Sequence, residues 1–258
     1  MIKQLVLFYI LSIGSVKLAK AQSSYSNEIG IIAGPVSFQS DYGERGDSTP
    51  FIGKTGFGIG LIHYVNLSYI GYNNFKPETY FDEHFKLRTE ISFTKSQFKH
   101  YGSLINNPKK NTSLEQLRAM RGKTDIMNIG LQMEYYLINI HDFENTIGSL
   151  NPYISFGAHY SFFNPKAYSL LGPLEDNISV KFRMATSNKP SSIMSIVASA
   201  GSRYKLNEIS DLIIESKMQY YFTDWVDGLN PNTAIHPENK ANDWLIWLNM
   251  GYVYYLNQ

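Results

Sequence analysis

The side chains whose spacing best suits chemistry are a histidine and a serine in one short segment. His159 and Ser161 are separated only by Tyr160. In an extended strand, residues two apart point to the same face, so a histidine base and a serine nucleophile would be neighbours. A carboxylate that orients the histidine would also be needed. Because a strand rich in tyrosine and serine produces such a pair by chance, we predict no catalytic residues and keep an envelope-lipid acyl hydrolase as an alternative.

Metal and cofactor chemistry finds no support in the remaining motifs. The six histidines form no H-x-H or H-E-x-x-H motif, and the absence of cysteine excludes thiolate ligands, thiolate nucleophiles and disulfides. Four residues near 222–232 could ligate calcium, but their spacing matches no calcium loop and suits turns: Asp224, Asp227, Asn230 and Asn232. We predict neither a metal site nor a cofactor.

The composition points towards an interface between water and an apolar phase. Charge is balanced, with 23 basic and 22 acidic residues, which argues against a nucleic-acid partner because such a protein carries a basic face. Aromatic residues make up 14% of the chain, and amphipathic rings gather at membrane surfaces. We expect Trp225, Trp244 and Trp247 to mark an outer interfacial girdle.

The first 21 residues have the features of an export signal. Lys3 provides a short positive region, Leu5 to Val16 is an apolar core, and Ala19-Lys20-Ala21 is a small-x-small cleavage pattern. The core is too short for a permanent helical anchor, which needs ~20 residues. We predict a signal peptide at 1–21 and one barrel domain at 22–258.

Eight later segments alternate between apolar and polar or small residues. In the last one, the even positions from Trp244 to Tyr254 are all apolar, while the odd positions include Asp243, Asn249 and Gly251. A period of two over about ten residues is typical of strands that cross an outer membrane. The sequence therefore predicts an all-β fold, an eight-stranded antiparallel transmembrane barrel with up-and-down connections.

The gaps between the segments alternate in length. With the N-terminus in the periplasm, the outer gaps are roughly 39–54, 99–122, 165–191 and 223–241, and the periplasmic gaps are about 70–83, 140–149 and 207–209. Long outer loops and short periplasmic turns are typical of this class, and only the first periplasmic gap is longer than expected. The rival interpretation is a soluble β-sandwich or a lipocalin-like barrel, which would bury the apolar face inside.

Charged residues on the polar face predict a network inside the barrel. Eight strands enclose a space that side chains can fill, and buried charges need partners. We expect Arg88 and Glu90 to face Glu134, and Arg203 to face Glu215. The predicted network comprises Arg88, Glu90, Glu134, Arg203, Glu215 and Lys217.

Several sequence blocks resemble a known family. They include Asn27-Glu28-Ile29-Gly30, the run from Thr55 to Leu61, Leu117-Arg118-Ala119-Met120 and the run from Asn239 to Leu245. Together they resemble a family of uncharacterised outer-membrane barrels from Bacteroidetes, mainly flavobacteria. More distantly, the chain is similar to the small barrel component associated with type IX secretion. The resemblance implies an outer-membrane barrel and supplies no catalytic residues.

These observations combine into one functional expectation. We expect an integral outer-membrane protein with a plugged lumen and a structural or partner-binding role through its extracellular loops, accessory to protein secretion. Its partners would be outer-membrane lipid and other envelope proteins, whereas the small-molecule ligand stays unknown. The alternatives are the acyl hydrolase and a narrow solute channel.

Overall fold

A computed structural model describes residues 26–43, 55–66, 79–100, 105, 111–236 and 241–256, which form one closed antiparallel barrel. Eight strands follow one another round the barrel in chain order, and β8 pairs back onto β1. The strands are β1 (Ser26–Gln39), β2 (Thr55–Asn66), β3 (Phe85–Lys99), β4 (Met120–Tyr136), β5 (Leu150–Ser169), β6 (Ser191–Asn207), β7 (Ser210–Tyr221) and β8 (Trp244–Tyr255). The predicted eight-stranded up-and-down barrel is confirmed. The predicted signal peptide at 1–21 lies outside the described residues.

The two faces of the sheet have opposite chemical character. In β7, Glu215 and Lys217 point inward and are buried, whereas Ile214 and Met218 point outward and are exposed. This alternation follows from the period of two in the sequence. A lipocalin-like barrel would place the apolar side chains inside. The structure has the reverse arrangement, with charges inside and apolar residues outside.

The two ends of the barrel differ in their connections. We call the end with connections 40–54, 100–119, 170–190 and 222–243 the loop end, and the end with 67–84, 137–149 and 208–209 the turn end. Among the described residues, the helices are α1 (Tyr80–His84) and α3 (Ile140–Glu144) at the turn end, and α2 (Thr112–Ala119) and a 3-10 turn (Val180–Phe182) at the loop end. No helix in the described residues is long and apolar enough to cross a membrane.

The central strands are longer than their sequence pattern predicts. β4 begins at Met120 and β5 ends at Ser169, so both continue past the gap boundaries expected near 122 and 165. The additional residues of β4 and β5 pair with each other in register. The backbone N–H and C=O groups of these residues still pair between the two strands. The strands therefore continue although their outward side chains are no longer apolar.

Candidate functional site

The middle of the barrel interior holds a group of five charged side chains, which we call the central cluster: Arg88, Glu90, Glu134, Glu215 and Lys217. The guanidinium of Arg88 lies 2.7 Å from Glu90, 3.0 Å from Glu134 and 2.7 Å from Glu215. Lys217 contacts Glu90 and lies 3.4 Å from Glu215. All five side chains are completely buried. Strands β3, β4 and β7 provide these side chains, so the ion pairs connect opposite parts of the barrel wall.

Neutral donors complete the central cluster, in which three carboxylates face two cations. Tyr64 and Tyr136 donate hydrogen bonds to Glu134, and Tyr153 donates to Glu215 at 2.9 Å. Further donors reach the carboxylates of the cluster from Gln132, Ser199 and Asn249. Hydrogen bonds to an ionised carboxylate are stronger than those between neutral groups. These donors compensate the excess carboxylate without a third cation.

A second group of charges lies nearer the turn end, and we call it the turn-end cluster: Glu28, Lys86, Glu144, Arg203, Lys205 and Asp211. Its distances are 2.5 Å from Lys86 to Glu28, 3.0 Å from Lys86 to Glu144, 2.6 Å from Arg203 to Glu28, 3.2 Å from Arg203 to Asp211 and 3.5 Å from Lys205 to Asp211. Three cations face three carboxylates. Five of the six side chains are buried, and only Glu144 keeps some exposure.

Arg203 does not pair with Glu215, in contrast to the prediction. The β6–β7 register places Gly201 opposite Glu215 and Arg203 opposite Ile213. Arg203 is therefore one inward position closer to the turn end, where it binds Glu28 and Asp211. Its guanidinium also lies 4.2 Å from the centre of the Tyr64 ring, whose hydroxyl reaches Glu134. Tyr64 thus connects the two clusters.

A neutral polar layer lies above the central cluster, towards the loop end. The Gln219 amide nitrogen lies 3.0 Å from Asn128, 3.1 Å from Ser161 and 2.8 Å from Ser195, so its two protons are shared among three acceptor oxygens. Ser161 donates its own proton to Asn128 at 2.7 Å. Such a saturated set of hydrogen bonds fixes the side chains in one arrangement.

The His159 and Ser161 side chains both point inward, as strand parity predicts, but no hydrogen bond joins them. His159 Nε2 lies 3.1 Å from the Gln132 amide nitrogen, and its Nδ1 has no hydrogen-bond partner among the described residues. Ser161 hydrogen-bonds to the neutral layer instead of the imidazole. Both residues are almost completely buried. The arrangement has neither the serine–histidine contact nor the carboxylate–histidine contact that an acyl hydrolase needs.

Aromatic side chains fill the interior nearest the loop end. Phe38 packs against Phe98 at 5.2 Å and against Tyr221 at 6.0 Å between ring centroids. Trp247 is only 1% exposed and lies over Lys217, 4.8 Å from its Nζ. The prediction that Trp247 belongs to an outer girdle is therefore wrong. Its odd position in β8 directs it inward, and the small glycine-rich face of β2 leaves room for the indole.

The described parts of the connection 222–243, residues 222–236 and 241–243, pack on this aromatic layer and are held by buried aspartates. The backbone N–H of Asp41 donates to Asp227 at 2.8 Å, and Asp243 accepts from the N–H groups of Val226 and Asp227 at 2.9 and 3.1 Å. Burial raises the pKa of Asp227 well above the ordinary aspartate value, and the charge of Asp41 raises it further. Burial likewise raises the pKa of Asp243, with Asp227 as the strongest neighbouring charge.

Helix α3 covers the interior at the turn end. Its Ile140 and Phe143 side chains are buried, and the Asn139 side chain accepts the His141 N–H at 2.8 Å as an N-cap. Glu144, at the last position of α3, reaches Lys86. Buried side chains thus lie in the interior of the described barrel at both ends and in the middle.

Sequence reasoning missed three acidic members of the turn-end cluster. Glu28 and Asp211 lie on the polar faces of β1 and β7, so strand parity alone would have placed both inside the barrel. Glu144 is on a helix between two strands, where the period of two provides no information. Within the described residues, no group of three or more histidine, aspartate or glutamate side chains is arranged to hold a metal ion.

The fold and interior define a closed eight-stranded barrel with buried charged side chains inside. No family model and no curated protein matches the chain. A major outer membrane protein from Thermus thermophilus is a similar solved structure, with 13% identity, 91% of this chain and 100% of that chain covered, and a TM-score of 0.49. Neisserial surface protein A has 14% identity, with 90% of this chain and 99% of that chain covered, and a TM-score of 0.43. Ail of Yersinia pestis, in complex with the heparin analogue sucrose octasulfate, has 12% identity, coverage of 91% and 100%, and a TM-score of 0.42. Since all three TM-scores are below 0.5, these likenesses concern general barrel architecture only.

Proposed function

We propose that this chain is an integral outer-membrane barrel with a plugged lumen, whose role is structural or partner-binding and is exercised through its loop end. The observation that carries the proposal is the exposed apolar outer face. Phe156 is 63% exposed, Leu61 56% and Met250 67%, on three different strands. In water such a continuous band would be strongly unfavourable. In a bilayer it is the required surface.

The height of the apolar band supports the same proposal. On β3 the outward residues from Phe85 to Phe93 are apolar except Thr89, and Lys95 follows. A tilted strand needs about 9–11 residues to cross the hydrocarbon core. The run from Phe85 to Phe93 matches that length, and the loop end then corresponds to the cell exterior.

The filled interior favours a closed barrel over a narrow solute channel. A solute would have to displace the aromatic layer and break the ion pairs of Arg88. Removing one partner of a buried ion pair costs about 3–5 kcal/mol. Reconstituted protein in planar bilayers should therefore show no regular conductance steps. Stable steps of uniform size would contradict the plugged lumen.

Heat-modifiability of protein from a detergent-extracted outer-membrane fraction tests the barrel itself. The unboiled protein should migrate faster than the boiled protein on a denaturing gel, because a closed barrel stays compact in detergent. A single unchanged band, from protein in the soluble periplasmic fraction, would overturn the proposal.

An accessory role in protein secretion is part of this proposal and is supported only by the family resemblance. It predicts that the tagged barrel co-purifies with secretion-machinery lipoproteins from mild-detergent extracts. A second tagged outer-membrane barrel of similar size serves as the control. A clean preparation without these lipoproteins would remove the secretion role and leave the barrel proposal intact.

A further inference from the structure

The outward face near the loop end carries a group of five cations on three adjacent strands, which we call the basic patch: Lys95, Lys99, Arg121, Lys123 and Lys166. Lys95 and Lys99 belong to β3, Arg121 and Lys123 to β4, and Lys166 to β5. All five occupy the outward positions of their strands. Arg121 and Lys166 lie where β4 and β5 continue beyond the length that the sequence pattern predicts.

Strand register arranges the basic patch in rows directly above the apolar band. Phe93, Met127 and Phe162 form the uppermost apolar row, since each is the register partner of the next. The three rows above it are Lys95–Asp125–Asn164, Gln97–Lys123–Lys166 and Lys99–Arg121–Tyr168. One residue of strand rises about 3.3 Å. The cations thus begin about two residues above the hydrocarbon-facing row, at the height of lipid headgroups.

The basic patch places like charges directly opposite each other. Lys123 is the register partner of Lys166, and Arg121 is the register partner of Lys99. Like charges in such cross-strand positions are destabilising. Asp125 lies 3.8 Å from Lys95 and compensates one charge only in part. Lys123 and Lys166 form no ion pair with any of the described residues.

Arg121 is fixed in place although no described carboxylate neutralises it. Its guanidinium donates to the backbone carbonyl oxygens of Arg118 at 2.6 Å and Met120 at 2.8 Å. The exposed charges at the opposite end of the barrel have the reverse sign. Outside the barrel interior, the described residues of the turn end carry Asp82, Glu83, Asp142 and Glu208.

We propose that the basic patch binds the phosphate groups of anionic lipid in the outer leaflet. The cations stand at headgroup height on a lipid-facing wall, and the repulsion between Lys123 and Lys166 is relieved when an anion binds between them. Phosphate oxygens are strong acceptors for both lysine and arginine. The inference rests on the proposed membrane location, because only a bilayer brings headgroups to this wall.

Native mass spectrometry of the intact barrel in detergent micelles tests the patch, with diphosphoryl lipid A as the probe. The variant Lys123→Gln/Lys166→Gln removes two cations from the middle row. Binding should weaken about thirtyfold, since the two removed cations contribute equally to the free energy of binding an anionic lipid surface. Dephosphorylated lipid A should bind the two proteins equally. The matched control, Arg183→Gln/Lys189→Gln, removes two exposed cations from the connection 170–190 and should bind like the unmodified protein.

Several outcomes would overturn the patch. Equal weakening in the control variant would show non-specific attraction. If the unmodified protein binds dephosphorylated lipid A as tightly as diphosphoryl lipid A, phosphate has no role in binding. Inositol hexakisphosphate, which is soluble, should compete poorly; if it binds as well as the lipid, the site takes free polyphosphate instead of membrane lipid. Heat-modifiability of each variant separates these results from failure of the barrel proposal, and Lys166→Gln alone is the fallback if the double variant does not fold.

Discussion

The indole of Trp247 packs so closely over Gly58 that a Cβ atom at position 58 would lie 2.8 Å from Cε2 of the ring. β2 and β8 flank β1 on either side, so this contact passes across the inner surface of β1. The glycine-rich face of β2 therefore leaves the space for Trp247, the largest of the described interior side chains. Lys217 lies on the same indole, which connects the aromatic layer to the central cluster.

Gly58→Ala should destabilise the barrel by about 1–3 kcal/mol, because overpacking forces the rigid indole to move. Urea unfolding in lipid vesicles measures the free energy. Gly60→Ala is the matched control, since its new Cβ would come no closer than 3.1 Å to the Ile32 side chain or to Ser92 Cβ. In the Trp247→Leu background, Gly58→Ala should hardly change the free energy of unfolding. Additive effects in the double variant would contradict the proposed contact.

Arg88→Met should cost about 3–5 kcal/mol, because three buried carboxylates would lose their shared guanidinium. The same urea titration measures the loss. Arg88→Met/Glu134→Gln should recover part of it by removing one uncompensated charge. Arg183→Met, which removes an exposed arginine, should change the free energy of unfolding by no more than about 0.5 kcal/mol. A loss as small as that in Arg88→Met would show that the central cluster contributes little.

The fold of connection 222–243 should depend on pH through Asp227 and Asp243. Their raised pKa values favour the protonated carboxyls in the folded loop. The stabilisation is thus fully present below the ordinary aspartate pKa and is lost as pH rises through the raised values. Asp41 and Asp224 are the other charges that face these carboxyls.

Hydrogen exchange at the Val226 and Asp227 amides, corrected for the intrinsic rate, measures this pH dependence. Protection should fall with rising pH in the unmodified protein. Asp243→Asn keeps an acceptor for both N–H groups but does not titrate, so its protection should change less with pH. Protection that rises with pH in the unmodified protein would show that the sign of the effect is wrong.

The unmodified barrel should release no fatty acid from lipid A or from simple acyl esters. His159 and Ser161 do not contact each other, and Ser161 is bound to Asn128 and Ser195. Mass spectrometry of the lipid after incubation provides the measurement. Turnover that disappears in both His159→Ala and Ser161→Ala would restore the hydrolase hypothesis.

Strand parity predicted most of the fold because the outward positions in the middle of the strands are almost all apolar, whereas the inward positions are often polar. It placed all six predicted network residues inside, and five of them form the central cluster. Parity alone did not provide the strand tilt and register, and so it misassigned the partner of Arg203. It also did not reveal Glu144, which reaches the interior from α3. Trp247 shows a further limit of sequence reasoning. Its residue type predicted the membrane interface, whereas its odd position in β8 predicted the interior, and the structure places it in the interior.

The interior charges also bear on how the barrel assembles. Glu28 of the first strand meets Lys86 of the third and Arg203 of the sixth, so these ion pairs form only when distant parts of the chain have come together. A slip of one residue in β1, β3, β4, β6 or β7 would turn the interior charges of that strand to the outer face, which the proposed membrane location places against hydrocarbon. Each lysine or arginine so exposed at the bilayer midplane costs about 2–4 kcal/mol. In a membrane the interior charges therefore select the correct strand register, because a misaligned barrel exposes charges to hydrocarbon and the correctly closed barrel does not.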